Sequence, residues 1–294
     1  MKSEKVGIVL AFYNPKRALF LGQLNSIVNQ SYTNWFCVIC VDGDRDNLLQ
    51  DEVIGSLLES GKFTVKRGLR RLGFVGNFGE GLGLLLQDKS IDYFVFSDQD
   101  DEWFPNMIEI QVSNLSDKPK GSLVFSDLAI QKVLPNGNKE VVETSIWAAE
   151  KRNVESRDTE SVLMRNLVSG ASGMFDRSLA EDFAPIPSWV RFHDHYFAVC
   201  ATLKGGLYPI PISLYIYNQH GDNVVGGSSY KGFLSVEGQS KSKLNDKYQY
   251  LSSWKKRVGL RDLAFLNIFR FSLIFKDPAL YRSHLAYFLG KYFG

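Results

Sequence analysis

The sequence predicts an α/β fold: a mostly parallel sheet with helices on both faces, followed by a C-terminal helical appendage. Short apolar runs alternate with helix-period segments through the first hundred residues, which is the pattern of βαβ units. The runs around 8–12 and 36–41 are almost continuously hydrophobic, as strands covered on both faces are. From position 241 onward the chain is strongly basic and rich in aromatics, unlike everything before it. The natural division is therefore 1–226 for the sheet domain and 227–294 for the appendage.

The elements follow in order. Gly7 to Phe12 reads as a strand. Arg17 to Gln30 reads as an amphipathic helix with Leu21, Leu24, Ile27 and Val28 on one face. Trp35 to Val41 is a second strand, closed by Asp42-Gly43-Asp44. A helix over Asn47 to Glu59, a short strand at Phe63-Thr64-Val65, a helix over Asn77 to Gln87 and a strand over Ile91 to Ser97 complete the first half. Leu123 to Val142 reads as a hairpin around Pro135-Asn136-Gly137. A helix over Asp158 to Asn166 precedes Ser169-Gly170-Ala171-Ser172-Gly173. That small-residue segment is either a close backbone approach to a ligand or a turn before a core strand. Phe192 to Leu203 reads as a helix, and Gly206 to Tyr217 as a strand region broken by Pro209 and Pro211.

Composition bounds the function. The 294 residues are 45% hydrophobic and 22% charged, ordinary for a globular chain with a sizeable core. A net charge of +2 gives no global case for a nucleic-acid partner. Aromatics make up 13%, which suits a carbohydrate- or membrane-facing protein and a Phe-rich core equally well. Three cysteines, Cys37, Cys40 and Cys200, with no signal peptide ahead of them, argue for a reducing compartment. Cys37 and Cys40 fall inside one strand with side chains on opposite faces, so they read as buried thiols and not as a metal or redox pair. No stretch reaches the length needed to span a bilayer. The chain is expected in the cytoplasm, or peripherally on the inner face of the cell membrane.

Asp98-Gln99-Asp100-Asp101 is the most informative stretch. Three carboxylates at a strand's C-terminal end repel one another, and they sit where open α/β sheets bind ligands. A divalent cation sharing the site with a polyphosphate relieves that repulsion. The alternative is a solvated turn, with Asp101 capping the helix that starts near Pro105. No Gly-rich phosphate loop follows the first strand, which disfavours a nucleotidyltransferase. No G-x-G-x-x-G follows it either, which disfavours a dinucleotide oxidoreductase.

Several segments in order carry a resemblance: Ser26-Ile27-Val28-Asn29-Gln30-Ser31-Tyr32, Arg71-Leu72-Gly73-Phe74-Val75-Gly76-Asn77-Phe78, Phe96 through Trp103, and Tyr217 through Gly226. Over roughly residues 6–226 the chain resembles family 2 glycosyltransferases of the Rossmann-like GT-A fold, bacterial polysaccharide rhamnosyltransferase types above all. The resemblance implies an inverting, metal-dependent transferase. Its donor would be a nucleoside diphosphate sugar, dTDP-rhamnose or a UDP-hexose. Its acceptor would be a growing, lipid-linked surface polysaccharide or other glycan.

The resemblance also assigns roles. Phe12, Tyr13, Asn14, Asp42, Asn77 and Asp98 fall at nucleotide-binding positions, with Asp42 reading a pyrimidine base or, alternatively, capping a turn or helix. Asp100 and His220 fall at the metal, Mn²⁺ or Mg²⁺. Asp194 falls at the catalytic base. Asp101, Trp103, Gly170, His193 and His195 are candidates for sugar or acceptor contact. The pattern departs from the family in three places: Ala11-Phe12-Tyr13-Asn14 replaces Pro-Thr-Tyr-Asn, Val41-Asp42 replaces a paired Asp-Asp, and His193-Asp194-His195-Tyr196 replaces His-Asp-Trp-Trp. A non-catalytic glycan-binding or assembly subunit is the alternative from another class, disfavoured by the intact Asp42, Asp98, Asp100 and Asp194.

The tail from position 241 holds eleven basic and three acidic residues, a charge of +8 against −6 for the remainder. With Phe, Tyr and Trp interleaved, it reads as a peripheral membrane-docking segment. The competing account packs these aromatics on the catalytic domain or in a homodimer contact.

Overall fold

The computed structural model describes residues 3–44, 47–155 and 157–221, together with positions 223, 250 and 254. The proposed 227–294 domain lies outside the described residues except for Tyr250 and Trp254.

The first half is built from strands Lys5–Phe12 (β1), Trp35–Val41 (β2), Phe63–Arg67 (β3) and Ile91–Ser97 (β4). They are joined by helices Arg17–Val28 (α1), Glu52–Leu58 (α2) and Gly73–Leu85 (α3). The four strands pair in parallel in the order β3-β2-β1-β4. The apolar runs of β1 and β2 are buried along nearly their whole length, because helices cover the sheet. Helix α3 lies close against it. A Cβ on Gly81 would clash with Val9 Cγ1 and meet Cys40 Sγ at 2.6 Å, so glycine sets how near this helix sits. All three cysteines are buried free thiols.

Two helices differ from the sequence expectation. The buried face of α1 is Leu19, Phe20, Gln23, Leu24 and Ile27, while Val28 is exposed. Gln23 belongs to the core face because its Nε2 donates to Ser97 Oγ at 2.8 Å, which satisfies it where an apolar pattern would turn it outward. The segment expected as one helix over 47–59 is a 3-10 turn, Asn47–Gln50, followed by α2. Asp51 breaks it by taking an extended conformation and accepting the N–H groups of Val53 and Ile54, as an N-cap does.

The second half contains Glu102–Trp103 (β5), Met107–Leu115 (α4), Ser122–Val133 (β6), Lys139–Glu143 (β7), Ile146–Ala149 (α5), Thr159–Met164 (α6), Gly173–Asp176 (β8), Arg177–Phe183 (α7), His193–Thr202 (α8) and Gly206–Gln219 (β9). The sheet continues from β4 as β8-β6-β9-β5, with β7 on β6. Here it is mixed and not mostly parallel: β8 runs antiparallel to β4 and β6, β5 to β9 and β7 to β6, while β9 is parallel to β6. The β6–β7 hairpin turns at Pro135–Gly137 as expected, with Gly137 at φ 83. Pro209 and Pro211 do not end β9. Pro209 keeps its register opposite Phe125, and the β6–β9 register then slips between Ser126 and Asp127 so that Pro211 and Ile212 are passed over, a bulge that absorbs the ladder position Pro211 cannot fill.

One core contact carries a chemical consequence. His193, at the start of α8, is 5% exposed and sits against Phe78 at 4.1 Å, Phe96 at 4.9 Å and Phe74 at 6.2 Å between ring centroids. Neither ring nitrogen has a hydrogen-bond partner. Burial lowers its pKa from 6.5 to about 4, against a smaller opposing pull from Asp194. The folded state therefore binds fewer protons at this site than the unfolded state between those pH values. Stability contributed by neutral His193 is present above pH 6.5 and drains away as pH falls toward 4, with a slope limit of about 1.4 kcal/mol per pH unit. His193→Phe should flatten the stability-versus-pH curve in this window relative to wild type. Denaturant titrations across the window check this; parallel curves for the two proteins would show that His193 does not titrate as described.

Candidate functional site

Strand β4 delivers its chain to the sheet's carboxyl edge, where Asp98, Gln99, Asp100 and Asp101 separate it from β5. Gln99 fastens this segment to the end of β1. Its Oε1 accepts the Tyr13 N–H at 2.7 Å, and its Nε2 donates to the Tyr13 carbonyl at 3.2 Å. Asp101 is 1% exposed and neither carboxyl oxygen has a hydrogen-bond partner. Burial and the charges of Asp98 and Asp100 hold its pKa well above the usual carboxylate range, slightly offset by the Asn218 backbone. Asp101 does not cap the following helix, because Asn106 holds the cap position of α4. Asp98 is pushed up to about 7, first by burial and then by Asp100 and Asp194.

Asp194 comes from the first turn of α8, nearly a hundred positions further along the chain. Its Oδ2 accepts the Gly170 N–H at 3.0 Å and its Oδ1 accepts the His195 N–H at 2.6 Å. Gly170 is the hinge between the two acids. Its φ is 28, and a Cβ there would stand 2.8 Å from Asp98 Oδ2. Of the two readings of the small-residue segment, the structure shows features of both: a turn leads into core strand β8, and its first glycine lets backbone reach between Asp98 and Asp194.

His220 follows β9 and reaches the same edge. Its Nε2 lies 2.9 Å from Asp100 Oδ2, and its side chain is only 7% exposed. Asn218 secures the approach, its Nδ2 donating to the Asp100 carbonyl at 2.9 Å and to Glu102 Oε1 at 3.3 Å. Among the described residues no three His, Cys, Asp or Glu side chains form a ready metal cage. A hard cation that shares its shell with phosphate and water needs only one or two protein ligands. The Asp100 carboxylate and His220 imidazole are a donor pair of that size, the carboxylate suiting Mg²⁺ or Mn²⁺ and the imidazole fitting Mn²⁺ better than Mg²⁺. The partnerless buried oxygens of Asp101 and the raised pKa of Asp98 mark an edge short of positive charge. The residues present fit a divalent cation.

The nucleotide-side candidates separate. Asp42 is 5% exposed and accepts the N–H groups of Leu72 at 2.5 Å and Gly73 at 3.0 Å. It thus anchors the N-terminus of α3, the capping role named as the alternative, although a carboxylate keeps further acceptor sites. The Arg71 guanidinium lies 4.1 Å over the Tyr13 ring and 3.9 Å from Asp42, so Tyr13, Asp42 and Arg71 do converge. Asn14 beside them takes a left-handed conformation, φ 46. Two candidates are corrected. The Phe12 side chain is fully buried against Phe20, and the Asn77 amide is buried and donates to the Cys40 carbonyl at 2.7 Å. The first fills the core, and the second ties α3 to β2.

Three acceptor-side candidates are corrected likewise. His193 is the core ring described above. His195 is buried, its Nε2 2.9 Å from the Val162 carbonyl. Trp103 is 4% exposed and pairs in β5 with Tyr215. His195 also helps seat the chain beyond the sheet domain. The Tyr250 hydroxyl lies 3.4 Å from its Nδ1, and Trp254, 2% exposed, stands 5.0 Å from Trp189 and 5.5 Å from Tyr196. For these two aromatics the packing account holds. The remainder of the basic tail lies outside the described residues.

Sequence reasoning missed Gln99, Asn218 and the backing of the Gly170 turn by Tyr215, whose hydroxyl donates to the Ser169 carbonyl at 3.3 Å. Gln99 and Asn218 stand inside the segments that carried the resemblance, but their work is to hold backbone, which residue type alone does not announce.

No helix among the described residues is long and apolar enough to cross a membrane. Comparison with known proteins completes the picture. "Putative glycosyltransferase EpsE" of Bacillus subtilis (strain 168) is 28% identical over 142 residues, 45% of this chain and 49% of that protein, so the match spans about half of this relative's length. The fold is shared with S. aureus TarS. A crystal structure of TarS 1-349 superposes with a TM-score of 0.57 at 12% identity, covering 99% of this chain and 93% of that one. A second TarS crystal structure gives 0.57 over 97% of this chain and 55% of that one. These likenesses agree with the GT-A architecture of sheet and helices. The model for "Glycosyl transferase family 2" matches residues 7–182, a span that takes in most of β1, the strands on to β8 and Asp98, Asp100 and Asp101 but ends before Asp194 and His220, and the chain belongs to that family.

Proposed function

We propose that this protein is an inverting, metal-dependent hexosyltransferase. It moves a sugar from a nucleoside diphosphate donor, dTDP-rhamnose or a UDP-hexose, to a growing, lipid-linked surface polysaccharide at the cytoplasmic face of the membrane. The observation that carries this reading is the meeting of Asp98, Gly170 and Asp194. It places an ionisable group from α8 beside the acidic end of β4, where sheets of this kind bind their ligands.

Asp194 is the base in this reading. Its oxygens are oriented by two backbone N–H groups, so the carboxylate needs no reorganisation before taking a proton from the acceptor hydroxyl. Inversion follows from a single displacement, the acceptor oxygen attacking the anomeric carbon on the face opposite the departing nucleoside diphosphate, through an oxocarbenium-like state of the kind seen in glycoside hydrolysis. Asp98 and the group of Tyr13, Asp42 and Arg71 supply the nucleotide side. Mn²⁺ or Mg²⁺, held by Asp100 and His220, would supply charge neutralisation for the diphosphate leaving group.

A panel of UDP-, dTDP- and GDP-sugars screened by thermal shift identifies the donor, since a ligand selective for the native state raises its apparent stability. With that donor saturating, Asp194→Asn should lower transfer by roughly 10²–10⁴ while donor binding stays near wild type. Normal turnover by the folded variant would remove Asp194 from the role of base. Asp100→Ala should abolish metal-dependent donor binding, and His220→Ala should weaken it less, because water can replace one ligand. Full activity in excess chelator would instead assign the protein to a metal-independent mode.

Tyr250 and Trp254 pack on the sheet domain, so the membrane reading of the tail from 241 onward is tested on residues 255–294, which carry eight basic and two acidic residues. The full chain should co-sediment with anionic vesicles at low salt and release as salt rises, whereas a chain ending at Trp254 should remain in the supernatant. Absence of binding by the full chain would leave this segment to packing or dimer contact.

A further inference from the structure

The turn that spaces Asp98 from Asp194 is held from behind by a buried cluster of ions. Arg152 and Glu150 are 5% and 6% exposed at their side chains, and Arg165 is 9% exposed. Arg152 Nε donates to Glu150 Oε2 at 2.7 Å, while Arg165 Nη2 reaches the same Oε2 and the Glu150 carbonyl, each at 3.4 Å. The second arm of the Arg152 fork leaves the cluster. Its Nη1 donates to Ser169 Oγ at 3.0 Å and to the Leu167 carbonyl at 3.3 Å. Ser169 immediately precedes Gly170, whose N–H holds Asp194 and where a Cβ would stand 2.8 Å from Asp98 Oδ2.

Stability alone gives little reason for this arrangement. Removing three charges from water costs more than their attraction commonly returns, and apolar residues of equal volume often serve as well. Here Glu150 Oε1 is left without a partner, so the cluster is not even fully satisfied. A planar fork does what an apolar side chain cannot: it fixes the position of two successive acceptors at defined angles. The two acceptors are the carbonyl of Leu167 and the hydroxyl of Ser169, on the turn that leads into the acidic edge. The Tyr215 hydroxyl grips the same turn at the Ser169 carbonyl.

We infer that Arg152 is a positioning residue for transfer: through Ser169 it sets the Gly170 N–H, and through that N–H the direction of the Asp194 carboxylate. The inference rests on the reading of Asp194 as base. Arg152 touches neither donor nor acceptor in this scheme, so its loss should act on turnover and spare donor affinity.

The test uses the full chain and the sugar nucleotide chosen by the donor screen, with UDP and dTDP as binding probes. Arg152→Lys keeps the charge but loses the fork. It should lower kcat roughly tenfold to a hundredfold, the scale of a small misplacement of a reacting group, with donor KM and nucleotide affinity unchanged. Ser169→Ala should act in the same direction to a smaller extent. Guanidinium, added below denaturing concentration, should restore part of the turnover of Arg152→Ala. The decisive comparison is a double-mutant cycle. On an Asp194→Asn background, Arg152→Lys should cause no further loss, because the group it positions is gone. An equal loss on both backgrounds, a fall in nucleotide affinity that tracks kcat, or wild-type kcat in folded Arg152→Lys would each overturn the inference while leaving Asp194 as base. Normal turnover by Asp194→Asn alone would overturn the base reading, and the inference with it. Where Arg152→Ala fails to fold, Arg152→Lys and Ser169→Ala carry the test.

Discussion

The crowding of four carboxylates at the carboxyl end of β4 is the constraint around which the neighbouring elements are arranged. Asp98, Asp100 and Asp101 arrive together because they are nearly consecutive. Asp194 arrives from another helix and adds to the same field, which is visible in the rise of the Asp98 pKa to about 7. Such a cluster is costly in a folded protein unless something in the working state offsets it. Almost every polar contact nearby is directed at holding the backbone that carries these acids. Gln99 clasps Tyr13, Asn218 clasps Asp100, and Gly170 stands between Asp98 and Asp194.

The sheet explains how so many acids can be held at one edge. Its parallel half supplies buried, rigid strands whose carboxyl ends share one side. The antiparallel strand β8 then joins β4 to β6, so β6, β9 and β5 extend the same surface past the acidic edge. This extension brings His220, 120 positions away, to within 2.9 Å of Asp100. The bulge at Pro211 and Ile212 lets β9 continue far enough to deliver it.

The same edge shows a division of labour among residues of one type. Asp42 is occupied by two backbone N–H groups, Asp101 by none, and Asp194 by two that orient it. His193 is a neutral ring in an aromatic box, His195 bonds a helix carbonyl, and His220 faces the acids. Chemical identity is shared within each set, and burial and partners decide the role.

Much of this was legible in the sequence. Alternating apolar and helix-period segments determine the α/β class, because covered parallel strands need unbroken hydrophobicity. The order of the segments ending at Tyr13-Asn14, Asp42, Asp98–Asp101, Asp194 and His220 carries the resemblance to the family. Only the tertiary structure decided the rest. Periodicity registers polarity, so it does not mark Gln23, which a hydrogen bond to Ser97 turns into the core. Position in a motif placed Phe12, Asn77, Trp103, His193 and His195 beside a ligand, where packing assigns their side chains to the core or to backbone carbonyls. The mixed half of the sheet, the closeness of Asp100 to His220 and the buried Arg152 fork behind Gly170 all depend on contacts between residues remote in the chain, and local sequence carries no record of which remote partner will satisfy a polar group.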